Sequence, residues 1–362
     1  FEAILRGVPV VTFGAPFYAG WGLTDDRADD RIARAMRARR VARPDVEQLF
    51  EAAYLRYARY ADPVGRRPLD AAGAMARLID WRARDRARVG DILCFDFSRW
   101  KRPAAAAFLG GSRARLAFRP KATPAELAKA RVSAPRATRA AVWGMREAPG
   151  FAEACAASGL ELVRVEDGFL RSVGLGSDLR APGSLVVDGA HLYYDARGAS
   201  RLETILATTP FDAPLLARAA ALRARIVAEA LTKYNLGSAP VDLRAAARGR
   251  RVVLVVEQVP GDMAILHGGG AVGGNLGLLQ AVRAEEPDAF LVYKEHPDLV
   301  AGNRRGRLPQ ATRAALADLT ISQGDMQALY AQIDALHAQS SLAGFEALLR
   351  GVQVTAWGRP FW

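Results

Sequence analysis

The sequence is poor in the residues that build disulfides and metal centres. Its 362 residues include only two cysteines, Cys94 and Cys155, and four scattered histidines. Two distant cysteines argue against a disulfide framework and are typical of a protein from a reducing compartment. Scattered histidines argue against a zinc site. We therefore expect neither a structural disulfide nor a metal centre.

Long hydrophobic segments are also missing. No run reaches about 18 apolar residues, the length that a bilayer-spanning helix needs. The first residues are typical of the middle of a helix rather than of a secretory signal. We expect a cytoplasmic protein.

What the sequence has in excess is positive charge. The formal net charge is +12, carried mostly by arginine in an alanine-rich background. Such a charge favours anionic partners, for example nucleotides, phospholipid headgroups or nucleic acid. A compositional bias that gives only a solvated basic surface would look the same, so the charge alone does not identify the partner.

The last 18 residues repeat the first 18. Aligning FEAILRGVPVVTFGAPFY, from residue 1, with FEALLRGVQVTAWGRPFW, from residue 345, gives 11 identities. A repeat at this distance is far longer than a solenoid unit and indicates that a whole module is duplicated. We interpret residues 1–85 as the mainly helical tail of an upstream module, and the rest as a second module without its own tail.

From residue 86 onward, short apolar segments that suit strands alternate with helical segments. The strand candidates are ILCFDF, ARLAF, AAVWG, LELVRVE, SLVVD, RVVLVVEQ, AFLVYKEH, DALHAQS and VQVTAWG. Such alternation predicts parallel sheets, and the Gly-, Pro- and Arg-rich segment 237–250 divides it in two. The sequence therefore predicts an α/β fold in which two Rossmann-like parallel-sheet domains, 86–245 and 246–362, face a cleft at the carboxyl ends of their strands.

One candidate site segment is ELVRVEDGFLRSVGLGSDL, residues 161–179. A strand that ends in Glu166 and Asp167 places two carboxylates at the edge of the sheet where ligands bind. Arg171 and Ser172 follow the turn. A carboxylate there can act as a base or a nucleophile, but Asp167 can equally cap a turn or a helix.

A second segment is LVYKEHPDL, residues 291–299. A strand ends at Lys294, and Pro297 after His296 prevents its continuation. A cation and an imidazole at a strand end suit a phosphate or a carboxylate, and a neutral histidine can act as an acid. A His-Pro pair by itself is common and means little.

The third segment is DALHAQSSLAGFEALLRG, residues 334–351. The free N–H groups at the start of its helix favour a phosphate at Ser340 and Ser341, although a plain serine N-cap explains the same residues. Glu346 lies about one and a half turns into the helix. It can accept hydrogen bonds from ribose hydroxyls, or it is a surface glutamate.

Other motifs argue against common enzyme classes. The cluster GGGAVG, residues 268–273, satisfies G-x-G-x-x-G, but it starts well after the preceding strand, and no acidic residue follows at the right distance. We therefore reject a dinucleotide site and expect a flexible loop lining the cleft. The sequence also lacks a D-x-D pair, a Walker loop and a G-x-S-x-G elbow, which argues against metal-dependent transferases, NTPases and serine hydrolases.

The motifs E-D-G, H-P and S-S, in this order across two α/β domains, resemble bacterial transferases that use CMP-activated ulosonic acids. The chain is most similar to the capsule polysaccharide β-Kdo glycosyltransferases of the KpsC/LipB type. The segments that carry this resemblance are EDGFLRSVGLGSDL, SLVVDGAHLYYD, EQVPGDMAI, YKEHPDL, SSLAGFEALLRG and FGAPFYAGWGLTDDR. It implies a GT-B-like fold, and the family's two modules in one polypeptide would account for the repeat.

The resemblance implies transfer of Kdo from CMP-β-Kdo, with retention and without a metal or cofactor. The implied acceptor is an oligo-Kdo primer on a phosphatidylglycerol-type lipid at the inner membrane, and no nucleic acid partner is expected. By motif, Asp167 is the catalytic carboxylate, either nucleophile or base, with Glu166 and His296 beside it. The implied substrate-binding residues are Arg171, Ser172, Gln258, Asp262, Lys294, His296, Pro297, Ser340, Ser341 and, for the ribose, Glu346.

Two alternatives stay open at this point. One is a transferase for another CMP-activated ulosonic acid, such as sialic acid. The other is a non-catalytic basic module that binds anionic lipid or nucleic acid through its arginines. Binding of that second kind would weaken strongly with salt and would ignore CMP.

Overall fold

The protein, as a computed structural model, is described over residues 1–63, 66–87, 89–175, 178–235, 241–322 and 324–362. It divides into two compact units, Phe1–Ala87 and Arg88–Trp362. Residues 237–240 of the predicted dividing segment, and residues 176 and 177 of the first candidate site segment, lie outside the described residues. The three-part domain division given above stays a prediction.

Helices make up most of the regular secondary structure of the first unit, as expected for the segment before the two sheets. Its elements are β1 (Val11–Thr12), β2 (Asp25–Asp26), α1 (Arg31–Arg39), α2 (Val46–Phe50), β3 (Tyr60–Asp62), β4 (Arg67–Leu69) and α3 (Ala71–Ala87), with a π-helical turn at Glu51–Tyr57. β1 and β2 pair in parallel, and β3 and β4 form an antiparallel pair. Asp30 caps α1, and Asp45 forms a capping box with Gln48 at α2.

The repeated sequence shares two local features between its copies, an aromatic contact and a glycine with positive φ. The ring centroids of Phe1 and Phe17 are 5.2 Å apart with planes at 56°. Those of Phe345 and Phe361, 344 positions later, are 5.3 Å apart at 55°. In both copies a glycine with positive φ follows the helical segment: Gly7 (69°) directly after the 3-10 turn Ile4–Arg6, and Gly351 (78°) after Arg350, the C-cap of the helix Leu342–Leu349. Since only glycine adopts such a φ at little cost, the conserved glycine has a structural reason in each copy.

The second unit contains two five-stranded sheets. The first has the strand order β6-β5-β7-β8-β9. Its elements are β5 (Asp91–Phe95), α4 (Arg102–Leu109), β6 (Leu116–Arg119), α5 (Pro124–Ser133), β7 (Ala137–Trp143), α6 (Phe151–Ala157), β8 (Glu161–Asp167), β9 (Leu185–Asp188), α7 (Arg201–Thr208) and α8 (Ala213–Ala228). Its strands are parallel except β9, which is antiparallel to β8. The prediction of a fully parallel sheet was wrong here, because the chain returns from β8 without a helical crossover in its described residues.

The second sheet is parallel throughout, with the order β12-β11-β10-β13-β14. Its elements are α9 (Leu243–Ala247), β10 (Val252–Val256), α10 (Met263–Gly268), α11 (Gly274–Glu285), β11 (Phe290–Lys294), α12 (Pro297–Val300), α13 (Gln310–Leu316), β12 (Leu319–Ile321), α14 (Met326–Tyr330), β13 (Ala335–Ala338), α15 (Leu342–Leu349) and β14 (Gln353–Ala356). This is the Rossmann strand order 3-2-1-4-5. β12 was not predicted, since three residues give too short a pattern.

The central strands of the second sheet are buried on both faces. All five residues of β10 are buried, and alternate residues join two separate hydrophobic clusters, Leu254 in one and Val253 and Val255 in the other. Helices cover both faces of such a sheet, so its strands are continuously apolar rather than alternating. The predicted fold class, two Rossmann-like sheets, is confirmed.

Candidate active site

A cleft of about 950 Å³ opens where the carboxyl ends of the two sheets meet. In open α/β sheets, ligands bind at this edge, just beyond the strand ends. Of the site residues predicted from the sequence, those that line the cleft are Glu166, Asp167, Arg171, Gln258, Asp262, Lys294, His296, Pro297, Ser340, Ser341 and Glu346. Ser172 does not line it. The structure thus brings together residues from four segments that are far apart in the sequence.

Asp167 ends β8 and has two differently placed oxygens. Its Oδ2 accepts a hydrogen bond of 2.7 Å from Nε of Arg171, whose side chain is buried. Its Oδ1 is buried and has no hydrogen-bond partner among the described residues. A buried carboxylate oxygen without a partner is costly, which indicates that it is reserved for a ligand.

Ser172 supports this arrangement instead of reaching the cleft. Its hydroxyl oxygen accepts a hydrogen bond from Nη1 of Arg171 (2.8 Å) and donates one to the carbonyl of Gly174 (2.7 Å). The hydroxyl is therefore occupied in orienting Arg171. The sequence pattern could not distinguish this from direct binding, because the two residues are adjacent.

Glu166 lies beside Asp167 in a different environment. Its Oε1 accepts from the backbone N–H of Asp167 (2.9 Å), and its Oε2 accepts from the hydroxyl of Tyr194 (3.2 Å). Burial raises the pKa of Glu166, so its carboxylate is more basic than usual. Two neighbouring carboxylates in unlike surroundings are a common basis for separate catalytic roles.

His296 presents one defined nitrogen to the cleft. Its Nδ1 accepts a hydrogen bond from the backbone N–H of Asp298 (3.2 Å) at the start of α12. The proton of the neutral ring is therefore assigned to Nε2. Burial lowers the pKa of His296, which favours this neutral form. Pro297 occupies the first position of α12 and fixes the turn.

Lys294 lines the cleft, but its ammonium is partly occupied. Nζ donates to the carbonyl oxygens of Glu295 (3.1 Å) and Ser322 (3.3 Å), and burial lowers the pKa of Lys294. These bonds take up two of the three ammonium protons. Only one donor is left for a phosphate or carboxylate.

Glu295 forms a buried ion-pair network that the sequence did not indicate. Its carboxylate pairs with Arg307 and, at 2.6 Å, with Arg313, and it accepts a hydrogen bond of 2.5 Å from Ser322. Burial opposes ionisation, but the hydrogen bonds and charges of these partners lower the pKa of Glu295 to about 2. The pairing fixes the loop after β11, which carries His296.

Gln258 and Ser340 bind each other. The amide of Gln258 accepts from the backbone N–H of Ser340 (2.9 Å) and donates to its hydroxyl oxygen (3.2 Å). That hydroxyl donates to the carbonyl of Ala264 (2.8 Å). These groups hold the strand ends of β10 and β13 together, and the ligand contacts expected of both side chains stay predictions.

Ser341 is the N-cap of α15, the alternative that the sequence left open. Its Oγ accepts from the backbone N–H of Ala343 (3.2 Å). α15 has eight residues, and its first turn borders the cleft through Ser341, Leu342 and Ala343. The N-terminal end of such a helix favours an anion.

Glu346 is neither a surface residue nor a free ligand group. It is buried, and its carboxylate accepts from the backbone N–H of Lys233 (2.7 Å) and from the hydroxyl of Tyr330 (2.8 Å). The expectation of a surface glutamate is wrong. The expected ribose contact stays a prediction, and the observed role of this carboxylate is to join α15 to the segment around Lys233.

For the segment after β10, the structure corrects the expected glycine loop, whereas substrate binding by Asp262 stays a prediction. Asp262 is exposed at the cleft and caps α10 by accepting from the N–H of Met263 (2.9 Å). The glycine cluster 268–273 does not line the cleft. A Cβ at Gly270 would overlap the carbonyl oxygen of Trp357. The glycines at 268–270 therefore allow close backbone packing, and the expectation of a loop lining the cleft is wrong.

Lys101, Trp143 and Lys233 are among the cleft-lining residues that the sequence analysis missed. Lys101 and Trp143 follow or end strands β5 and β7, so a systematic reading of every strand end would have found them. Lys233 gives no such signal, because it follows the exposed helix α8 rather than a strand.

Among the described residues, no group of three His, Cys, Asp or Glu side chains could hold a metal ion. No helix in the described part of the chain has both the length and the hydrophobicity that a membrane span needs. The predictions of metal independence and of a peripheral membrane location are tested by neither observation.

The chain matches the family described as "Capsule polysaccharide biosynthesis protein" over residues 1–60 and 139–362. The capsule polysaccharide modification protein LipA of Neisseria meningitidis serogroup B is 40% identical over 369 residues, covering 100% of this chain and 50% of LipA. The lipopolysaccharide-processing protein LpsZ of Rhizobium meliloti is 36% identical over 222 residues, covering 61% of this chain and 50% of LpsZ. The chain thus spans about half the length of LipA.

Two solved structures from Thermosulfurimonas dismutans share the fold. KpsC, beta Kdo 2,4 transferase, has a TM-score of 0.59 at 28% identity and covers 74% of this chain and 80% of that chain. KpsC, beta Kdo 2,7 transferase, has a TM-score of 0.56 at 28% identity and covers 75% and 80%. Both likenesses agree with the two-sheet architecture described above.

Proposed function

This chain belongs to the capsule polysaccharide biosynthesis protein family, and from that premise we propose that it is a retaining β-Kdo glycosyltransferase module. It transfers Kdo from CMP-β-Kdo to an oligo-Kdo acceptor. The two structural relatives named as β-Kdo transferases support the choice of sugar. The observation that carries the proposal is Asp167, with one oxygen held by Arg171 and the other buried without a partner in the described structure.

The reaction then proceeds in two displacements. Oδ1 of Asp167 attacks the anomeric carbon of Kdo, the bond from that carbon to the phosphate oxygen breaks, and CMP leaves with the electron pair. An acceptor hydroxyl next attacks the same carbon, the ester bond to Asp167 breaks, and its electron pair returns to the carboxylate. Glu166 takes the hydroxyl proton, since its raised pKa makes it a suitable base. Two inversions give net retention.

The second sheet supplies the groups that stabilise the leaving phosphate. Nε2–H of His296 donates a hydrogen bond to it, and the first turn of α15 at Ser341 offers backbone N–H groups and a favourable dipole. One donor of Lys294 remains for the same anion. Because CMP carries a single phosphate, we propose that these groups suffice without a divalent ion.

We further propose that the acceptor is attached to a phosphatidylglycerol-type lipid and that the protein works at the cytoplasmic face of the inner membrane, together with an upstream transferase module. The net charge of +12 supports contact with an anionic surface. Binding to vesicles that contain phosphatidylglycerol should weaken as salt is raised and be absent for neutral phosphatidylcholine vesicles. Equal binding to both vesicle types would contradict this part of the proposal.

The test of the main proposal is CMP release by the whole purified chain, supplied with CMP-Kdo or CMP-sialate and an oligo-Kdo acceptor. We expect release from CMP-Kdo, and a loss of about 100-fold or more in Asp167→Asn. Asp288→Asn is the matched control, because Asp288 is an exposed carboxylate outside the cleft. Without acceptor, mass spectrometry should find Kdo attached to the peptide that contains Asp167.

Three other outcomes of this assay would contradict parts of the proposal. Release from CMP-sialate alone would replace Kdo by sialic acid as the donor sugar. If Asp167→Asn stayed within about threefold of the unchanged protein, the catalytic role of Asp167 would be wrong. Salt-sensitive binding to anionic vesicles without any CMP release would favour the non-catalytic alternative.

A further inference from the structure

Lys101 lies on the first-sheet side of the cleft, in an unusual position for a lysine. It ends the 3-10 turn Arg99–Lys101 that follows β5. Its Nζ is 3.4 Å from the centroid of the Trp143 ring and 5.4 Å from that of Trp100. Trp143 is buried at the end of β7. The ammonium is thus fixed over an aromatic face, a contact that stabilises a cation.

The ammonium of Lys101 is otherwise unpaired. Within the described ranges of the chain, no hydrogen bond or ion pair engages its three protons. The nearby charges are the carboxylates of Asp167 and Glu166 and the guanidinium groups of Arg146 and Arg171. Burial, opposed by the two carboxylates, lowers the pKa of Lys101 to about 8. Lys101 is therefore still mainly protonated at neutral pH and has donors to offer.

These features fit an acidic sugar. Any anionic ring that approaches Asp167 meets repulsion from two protein carboxylates, and a cation at the same wall offsets it. Trp100, which is half-buried and lines the cleft, provides apolar surface for a sugar ring beside that cation. Lys101 comes from the first sheet, whereas His296 and the start of α15 come from the second. The donor is held through its phosphate by the second sheet in the proposed reaction, and we assign the sugar that Lys101 contacts to the acceptor.

We propose that Lys101, positioned by Trp143, forms a subsite that binds the carboxylate of the acidic sugar at the acceptor terminus. This inference rests on the proposed transferase function and adds a specificity determinant to it. A charge-assisted hydrogen bond of this kind discriminates about 10- to 100-fold between a ligand with the carboxylate and one without it.

The experiment pairs two acceptors with three variants. The acceptors are an oligo-Kdo terminus and the same molecule with its terminal carboxylate converted to the carboxamide. We expect the unchanged protein to prefer the acid about 10- to 100-fold in kcat/KM for the acceptor. Lys101→Met should abolish that preference, and Lys101→Arg should keep most of it. Lys129→Met, an exposed lysine paired with Glu126, is the control and should leave the preference unchanged.

The pH dependence of kcat/KM tests whether the charge of Lys101 matters. A purely structural role of Lys101 would not shift this dependence. In the unchanged protein, kcat/KM for the acid acceptor should fall as pH rises past about 8, since Lys101 then loses its proton. In Lys101→Arg this limb should move to higher pH, because arginine stays charged. The proposal would be overturned if the decrease in kcat/KM occurred at the same pH in Lys101→Arg. It would also be overturned if Lys101→Met lowered kcat/KM equally for the acid and amide acceptors.

Calorimetry of both acceptors binding to the donor-free protein tests the Lys101 subsite independently of transferase activity. Binding that prefers the acid and loses that preference in Lys101→Met supports the subsite even if no CMP is ever released, in which case the transferase proposal alone fails. CMP release together with acceptor binding that is insensitive to Lys101→Met refutes the subsite alone. Absence of acceptor binding by the unchanged protein also refutes it.

Discussion

The carboxylate of Glu346, in α15, accepts a hydrogen bond of 2.7 Å from the backbone N–H of Lys233, which lies 113 residues earlier in the chain. The carbonyl of Lys233 in turn accepts from the N–H groups of Arg171 and Ser172, each at 3.2 Å. Arg171 holds Oδ2 of Asp167. A continuous set of hydrogen bonds therefore links the helix of the second sheet to the carboxylate of the first.

This link predicts how Glu346→Ala will behave. The change leaves the buried N–H of Lys233 and the hydroxyl of Tyr330 without an acceptor, so the free energy of unfolding should fall by about 2–4 kcal/mol. We expect kcat to fall at least about tenfold, because Arg171 and Asp167 lose their support. Glu346→Gln, which retains an oxygen acceptor, should lose much less of both.

A donor with 2′-deoxyribose separates this role from ribose binding. If Glu346 only positions Lys233, the unchanged protein and Glu346→Ala should show the same ratio of kcat/KM for the ribose and deoxyribose donors. Should the ratio collapse toward one in the variant, the ribose contact expected from the sequence would be supported and the positioning role would be incomplete.

The sequence predicted the secondary-structure elements better than the hydrogen bonds between side chains. Strand ends could be found because a valine-rich run such as β10 stops at a polar residue, and parallel strands bring such ends to one edge. Which oxygen accepts from which donor depends on atoms far away in the chain. Gln258 and Ser340, 82 residues apart, were predicted to contact the ligand, and the hydrogen bonds that they also make to each other were not foreseen. No pattern local to either residue contains that information.

The contacts of the glycine cluster, residues 268–273, also depend on residues far away in the chain. They lead to a second prediction. Gly270→Ala should destabilise the protein by more than about 2 kcal/mol, because a Cβ there overlaps the backbone at Trp357. Gly189→Ala is the matched control, since its Cβ would meet only ordinary contact, 3.8 Å from the carbonyl oxygen of Leu162. Chemical denaturation followed by circular dichroism measures both. Equal stability of the two variants would show that the close packing at Gly270 is wrong.

Glu295 predicts an acid-sensitive contribution to stability. Its folded-state pKa, about 2, is below the ordinary value of 4.5, so the carboxylate stabilises the fold when ionised. That contribution is present above about pH 4.5 and is lost as pH falls toward 2, and it amounts to about 3 kcal/mol. Glu295→Gln should lower the free energy of unfolding at pH 7 and flatten its dependence on pH between about 5 and 2.

Glu285→Gln is the control for this measurement, because Glu285 is exposed on α11. Urea unfolding at several pH values gives the free energies to compare. If Glu295→Gln and Glu285→Gln have the same pH dependence as the unchanged protein, the buried pairing with Arg307 and Arg313 does not stabilise the fold.

The last prediction concerns divalent ions. In the proposed reaction, the departing phosphate is met by Nε2–H of His296, by the first turn of α15 and by one donor of Lys294. Because these groups supply donors and positive potential where negative charge develops, CMP release from CMP-Kdo should stay within about twofold when the protein is dialysed against EDTA and assayed in metal-free buffer. His296→Ala should lower kcat by about 10²-fold or more, since a positioned proton donor contributes that much. If EDTA abolished release and added Mg²⁺ restored it, a metal ion would carry the leaving-group charge, and His296, Lys294 and α15 would serve only to orient the nucleotide.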